Sequence, residues 1–521
     1  MDHYGYVQNL YQMAERAASQ GDFSRAYIAR AELNRVSPST VNSLWQAEAG
    51  RMLGLLPVLG SFVADEISML KADGNSLFPN LLATAIELGA LNTSDLANFD
   101  LSQFSGNDRI VRGIAYAILH RGFETSELGQ LSVAEYPVTQ MRNLQDKSVK
   151  DISDSYSVDV SRFLSESAPE TKKVQQINAE SAQIIRLTNS TVWVESDAMF
   201  VDGQYVIDQA GKLGGRGVNF NSDTRIRSAN NAKVIVTTTR PAIRMSVKRG
   251  LFLAYPMTHA WGHFYSSVLC RLAFALEIYP DGDLDLILSS RVTQAGRDAI
   301  QMLHPQLRLH FFDPMTEILV EELLVVPSRG FKSEEILPGY EIDQNRLVDI
   351  EAMRLIRSRF QEIFIDGSDS GSCVYWSRGT ANYRKGHSDK ILEHHARGLG
   401  LDIVDLGNLS FFDQGTIVAQ ATTSFGFYGS HLTNVATMAP VGSSHLVITN
   451  DRPYEWQTLY FVLSELLEVE PQIVQGYSRL NLPYYAPENY HSPTELEFNQ
   501  IERIYEAMSY RSDLNSLKPP I

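Results

Sequence analysis

Apolar residues recur every three to four positions in YVQNLYQMAERAA, near the N-terminus, and again in RIVRGIAYAILHRGF at 109–123. That is the period of an amphipathic helix, and it predicts a helical region over residues 1 to about 150. Residues 151–183 are polar and rich in Ser, Glu and Lys, which predicts a linker. From about 184 the pattern changes. IIRL, TVWVES, YVID, KVIVTTT and GLFLAY are short β-branched and aromatic runs of the kind that form strands. Helix and strand patterns then alternate: helix 264–278, strand 284–290, helix 293–303, then the strands LRLHFF and LLVVPS. A second alternating block starts near 350 with the helical IEAMRLIRSRFQEIF. Strand 373–377, helix 389–398, strand 402–406, helix 411–421, strand 423–427, a helix from Leu432 and strand 445–449 follow. TELEFNQIERIYEAMSY reads as a last amphipathic helix. Such alternation predicts βαβ units and mostly parallel sheets, hence an α/β chain with two doubly wound units at 184–350 and 351–490 and a C-terminal helix and tail at 491–521. Ligands in such folds bind outside the carboxyl ends of the strands.

Composition narrows the function. The chain has 521 residues, 44% hydrophobic and 20% charged, enough for a packed core. Lys+Arg 45 against Asp+Glu 61 gives −16, which argues against a protein that coats nucleic acid or an anionic membrane. Cys270 and Cys373 are the two cysteines, far apart, so neither a disulfide scaffold nor a thiolate zinc site is expected. No apolar run reaches the ~18 to 20 residues that span a bilayer, and the N-terminus lacks a signal-peptide core. A cytoplasmic protein is expected, with peripheral membrane association left open. Within the helical region, Ala14, Gly21, Phe23, Ala26 and Pro38 fall at the small, small, aromatic, small and proline offsets of a tetratricopeptide repeat. One copy resembles that repeat; a solenoid needs about three, so an irregular helical domain is the alternative.

The second block carries the most informative motifs. These are Ser377-Arg378 after a strand, Arg384-Lys385, Leu409 to Gln414 (LSFFDQ), Gly429-Ser430, Leu432-Thr433-Asn434 and Gly442-Ser443. In that order and spacing, with HAWGHFYSSVLCRL (259–272) upstream, they resemble family-61 glycosyltransferases over about residues 184–450. The resemblance implies a GT-B fold of two Rossmann-like, doubly wound domains facing a cleft, the first on the acceptor side and the second on the nucleotide-sugar side, preceded by the helical N-terminal domain. It also implies metal-independent, inverting sugar transfer from a nucleotide donor, commonly UDP-linked, with no cofactor. Three positions depart from the family pattern. Tyr428 stands where its turn has histidine, Ser267 where it has aspartate, and HLVIT lacks its acidic residue.

Inverting transfer needs a grip on a diphosphate, charge relief on the leaving group and a general base. Arg378, with Arg384 or Lys385, supplies the first, because the arginine fork matches phosphate oxygens bidentately. A solvated surface charge is the plain alternative for each. The turn Tyr428, Gly429, Ser430 and His431 leads into a helix whose free N–H groups suit a developing phosphate charge. Gln414 and Asn434 complete the expected nucleotide-sugar site; for Asn434, capping or orienting the loop is the preferred, structural role. His263 is the expected base, since an imidazole titrates near neutrality; a core or capping histidine is the alternative. Asp313 and Glu317 are further base candidates. His259 and His263 share a zinc-like spacing without the glutamate, and no metal site is expected. Trp193, Trp376 and Tyr428 could stack on sugar or base, with core packing the default.

Two functions fit these residues. One is a glycosyltransferase acting on a glycan or protein acceptor, with the helical N-terminal region free to hold a partner. The other is a non-catalytic scaffold built on a degenerate transferase fold.

Overall fold

A computed structural model describes residues 12, 108–121, 131–141, 148–159, 176–207, 223–230, 232–238, 243–329, 349–364, 371–379, 387–449, 457–478, 494–496 and 498–516. The tetratricopeptide-like segment, the glycine-rich 211–217, Arg384 and Lys385 lie outside the described residues.

Helix α1 (Asp108–Arg121) forms where the 109–123 period predicts one. Its Arg112 reaches the neighbouring β-structure, donating to the carbonyls of Ile226 at 2.9 Å and Asp223 at 2.7 Å. The helical reading does not extend to residue 150. β1 (Val133–Gln140) and β2 (Ser148–Ser153) are strands. Pro137 explains the first case: inside a helix it would remove a donor and clash with the preceding turn. The expected linker is also partly structured, since β3 (Tyr156–Asp159) and β4 (Gln176–Ala179) form an antiparallel hairpin. Tyr156 of β3 and Ile152 of β2 pack against the main core.

β5 (Ala182–Trp193), β6 (Ala198–Val201), β7 (Gln204–Ile207), β8 (Ile226–Ala229), β9 (Lys233–Thr237) and β10 (Arg244–Phe252) come next. Asp202 (φ 50) and Gly203 (φ 84) close β6 onto β7, both in the left-handed region that a two-residue hairpin turn requires. Then follow α2 (Trp261–Phe264), a π-helical segment Tyr265–Leu269, α3 (Cys270–Ile278), β11 (Asp285–Ser289), α4 (Gln294–Leu303), β12 (Arg308–Phe312) and β13 (Glu317–Val325). The sheet runs β12-β11-β10-β13-β5-β6-β7-β1-β9-β8, with β2 added on β5. It is mixed, not mostly parallel as expected. β12, β11, β10 and β13 form a parallel core, from β13 through β5, β6 and β7 the pairing is antiparallel, β7 pairs with β1 in parallel, and β1, β9 and β8 are antiparallel. For β5, β6 and β7 the cause is local: short turns separate them, where a parallel connection would need a crossover of about a dozen residues or more. Leu251, Leu286, Leu288 and Leu324 face the helices, while Phe252, Ile287 and Val325 face a second cluster with Leu187, Val192 and Met199. The β5 ribbon curls far enough for the Glu195 N–H to donate to Ala254 O, just past β10, at 2.7 Å.

The second block is α5 (Ile350–Phe364), β14 (Ser372–Trp376), α6 (His387–Gly398), β15 (Asp402–Val404), α7 (Phe411–Gln420), β16 (Ala421–Phe427), α8 (His431–Met438), β17 (Ser444–Thr449), α9 (Gln457–Leu467), β18 (Gln472–Gln475) and α10 (Phe498–Ser516). Its sheet, β15-β14-β16-β17-β18, is wholly parallel. Alternation assigns the faces. Val374, Trp376 and Val447 join the cluster of α5, α7, α8 and α9, while Tyr375, Phe425, Phe427 and Ile448 pack with Leu392 of α6 and Ile504 and Met508 of α10. One apolar cluster runs from Leu251 and Leu272 of the first block to Ile356, Phe411 and Val435 of the second. Among the described residues no helix is long and apolar enough to cross a membrane.

Candidate functional site

In the second sheet the strand order reverses direction between β14 and β16, and such a switch point opens a crevice at the carboxyl ends. These two strands are in register at Trp376 and Gly426, so the residues that follow them emerge side by side. Arg378 follows β14, and the turn Tyr428 to Ser430 follows β16. Arg378 Nη1 donates to Tyr428 O at 2.6 Å. A Cβ on Gly429 would lie 2.8 Å from that Nη1 and 3.0 Å from His431 Nδ1, so any side chain there would crowd both. Helix α8 starts at His431 with no side-chain cap on Ser430. Leu432 N–H and Thr433 N–H make turn bonds to Gly429 O and Ser430 O. The N–H groups of Ser430 and His431 have no partner among the described residues, and they sit at the positive end of the helix dipole.

His431 Nε2 and Trp376 Nε1 are both buried and lack a hydrogen-bond partner among the described residues. Their rings are 6.0 Å apart. Burial, then the Arg378 and His445 charges, push the His431 pKa down to about 3. The ring is therefore neutral near pH 7 and acts as a hydrogen-bonding group rather than a cation. Tyr428 offers its backbone carbonyl to Arg378. Its ring turns into the core, edge-on to Tyr460 at 6.1 Å. Trp376 and Trp193 are likewise buried, so none of the three aromatic candidates presents an open face.

Gln414 and Asn434 are tied into the scaffold. Trp261 Nε1 donates to Asn434 Oδ1 at 2.8 Å, Asn434 Nδ2 to Gln414 Oε1 at 2.9 Å, and Gln414 Nε2 to Leu409 O at 3.1 Å. This chain joins α2 of the first block to α7 and α8 of the second. Beside it, Tyr265 Oη and Thr437 Oγ1 are 3.1 Å apart, on the π-helical segment and α8. A Cβ on Gly262 would lie 3.5 Å from the Ser430 Cβ, so α2 approaches the Tyr428–His431 turn closely. His263, half-buried, is the next residue on α2. The structure thus brings His263 and the Arg378 turn to the same seam.

One group at the strand ends has no counterpart among the sequence candidates. Glu195, at φ 61, carries a side chain 3% exposed. Its carboxylate accepts from Ser289 Oγ at 2.8 Å and from Arg291 Nη1 at 3.0 Å, beyond the carboxyl end of β11. Thr293 then caps α4, accepting from Gly296 N–H, and Gly296 packs against the Phe264 ring of α2. In sequence, Glu195 is one acid in a hairpin turn 94 residues before its partner Ser289, with no spacing to mark the pair.

The remaining candidates fall elsewhere. Asp313 Oδ1 accepts from Ser290 Oγ at 2.7 Å, at the exposed end of β12. Glu317 starts β13 and pairs with Arg244 at 2.9 Å. Ser267 is buried, and its carbonyl accepts from Arg271 at 3.1 Å. His259 is exposed. Among the described residues no group of three His, Cys, Asp or Glu side chains could hold a metal ion.

Residues 261–443 match the family model Glycosyltransferase 61, a span that begins at Trp261 and contains α2, Arg378 and the Tyr428–His431 turn. No curated protein matches the chain.

Proposed function

We propose that the chain is a nucleotide-sugar-dependent glycosyltransferase whose donor diphosphate sits at the β14/β16 switch point. The observation that carries this is the pairing of Arg378 with the uncapped start of α8 in a segment that matches a glycosyltransferase family. Arg378 supplies charge and a planar fork. Backbone N–H groups at the helix start supply pre-aligned donors. Neutral His431 and the Trp376 N–H are further hydrogen-bonding groups at the same turn.

The reading extends to an inverting, metal-independent displacement with a UDP-linked donor and a glycan or protein hydroxyl as acceptor. His263 takes the acceptor proton as the acceptor oxygen attacks the anomeric carbon. The bond from that carbon to the diphosphate breaks, and its electron pair goes to the phosphate oxygen. Arg378 and the helix start stabilise that oxygen, a kind of contribution worth ~3 to 4 kcal/mol per well-placed donor. General-base help adds about 10²–10⁴-fold. In this reading Arg384 and Lys385 add charge to the diphosphate grip, while Gln414 and Asn434 fix the position of the turn.

The test is nucleoside-diphosphate release from a panel of UDP-, GDP-, CMP- and dTDP-sugars, with and without EDTA, for wild type and Arg378→Ala. One active donor, insensitive to EDTA and at least about 100-fold slower in the variant, is the expected result. A folded wild type that neither cleaves nor binds any donor would leave a non-catalytic scaffold as the function.

A further inference from the structure

Glu195 is a carboxylate whose side chain is 3% exposed, placed where the β5 ribbon curls back over the carboxyl ends of β10 and β11. A charge so buried is costly unless paired. Its two partners divide the work. Ser289, fully buried, donates to one carboxylate oxygen and its Oγ also accepts from Arg291 N–H at 3.2 Å, which fixes the turn. Arg291 donates a single Nη1 to the other oxygen, and its side chain is 56% exposed. Its remaining donors have no partner among the described residues. Glu195 holds a positive φ, and its N–H and C=O are both engaged, to Ala254 O and from Thr224 N–H at 2.8 Å. Strained backbone over-determined by its surroundings recurs at ligand sites.

We infer that Arg291 is an oxyanion-binding cation on the first-block side of the site, aimed by Glu195 and Ser289 as positioning residues. A purely structural ion pair would bury the guanidinium with the carboxylate. Here the carboxylate is buried and the guanidinium stays open, which keeps its planar fork available for a second, bidentate partner. The turn that carries Arg291 adjoins α4, which packs on Phe264, one residue from His263. In a transferase the oxyanion has two sources, the donor diphosphate or an acidic acceptor sugar. This inference rests on the transferase reading for that choice, not for the existence of the site.

The test is calorimetric titration of wild type, Arg291→Gln, Arg291→Lys, Glu195→Gln and Arg378→Gln with two probes, UDP and glucuronate. Wild type should bind at least one probe. Arg291→Gln should weaken that probe about tenfold or more while staying folded at the titration temperature by circular dichroism; its melting temperature should fall, because the buried Glu195 carboxylate loses its cation. Glu195→Gln should weaken it less, through lost orientation, and Arg291→Lys should lie between wild type and Arg291→Gln. Loss of UDP affinity assigns the donor; loss of glucuronate affinity assigns an acidic acceptor. The inference is overturned if Arg291→Gln binds both probes as wild type does, or if wild type binds neither. UDP binding abolished by Arg378→Gln but intact in Arg291→Gln, with no glucuronate binding, keeps the transferase reading and removes this one. Glucuronate binding that depends on Arg291, with no UDP binding at all, does the reverse.

Discussion

At the scale of single residues, the switch-point turn is a packing problem around Gly429. A methyl group there would push against the tip of Arg378 and the His431 ring. The Arg378 tip can move and the His431 ring must also give, so Gly429→Ala should cost about 1–3 kcal/mol through crowding while displacing the cation. Nucleotide affinity should fall about tenfold, read by titration beside a urea midpoint. His431 gives a second prediction, with a definite sign. Its folded pKa of about 3 lies below the ordinary 6.5, so between those values the unfolded chain takes up a proton that the folded chain refuses. Stability from this group is complete above about pH 6.5 and is lost as pH falls toward 3. His431→Gln should therefore lose less stability than wild type between pH 7 and 4.5, measured as urea midpoints across that range. Much of this site was legible in the sequence. Arg378, Gly429 and the helix start followed from strand-end placement. The Tyr428 ring and the Gln414–Asn434 pair were not legible, because strand-end placement does not say which way a side chain turns. Glu195 was invisible, because its partner is 94 residues away.

At the scale of elements, the position of α8 matters most, since it aims the turn. The bonds of Asn434 and Thr437 hold it on one side, and α5 holds it on the other. Arg357 of α5, buried, donates Nη1 to Ala436 O at 3.0 Å in the last turn of α8, a favourable place for a cation. With the Gln361 amide oriented to present its oxygen, that oxygen accepts from Arg357 Nε at 3.0 Å and Nη2 at 2.7 Å. Arg357→Met should cost about 1–3 kcal/mol by leaving a buried carbonyl unpaired. Gly415 seats α7, whose Gln414 bonds Asn434 of α8, on α5. A Cβ there would lie 2.3 to 2.5 Å from the Phe364 ring of α5. Gly415→Ala should destabilise by about 1–3 kcal/mol through overpacking, and Phe364→Leu should rescue part of it, a double-mutant cycle in urea. The second block shows why elements of this kind read well from sequence: buried parallel strands and amphipathic helices have unlike periods. The first block reads less well. Its hairpin strands look the same whether their neighbours are parallel or antiparallel, and the Asp202-Gly203 turn was the local signal for the antiparallel choice.

At the scale of the whole molecule, the helices of both blocks contribute to one apolar cluster. Trp261 of α2 lies 5.7 Å from Phe411 of α7, which is 5.4 Å from Phe360 of α5. A shared core couples the two sheets, so the blocks should unfold together. Tryptophan fluorescence and far-ultraviolet circular dichroism should give coincident urea transitions over the described α/β region, and separate transitions would show two independent units. This arrangement also bears on the chemistry. His263 and the Arg378 turn are held against each other through the bond from Trp261 to Asn434, without needing a ligand to draw them together. In the proposed transferase, a nucleotide diphosphate occupies the ends of β14 and β16. Hydrogen exchange with and without UDP tests it most directly. Slowed exchange centred on residues 376–379 and 428–433, and lost in Arg378→Ala, is the predicted result. Nucleotide protection that leaves those segments unchanged and appears elsewhere would contradict it.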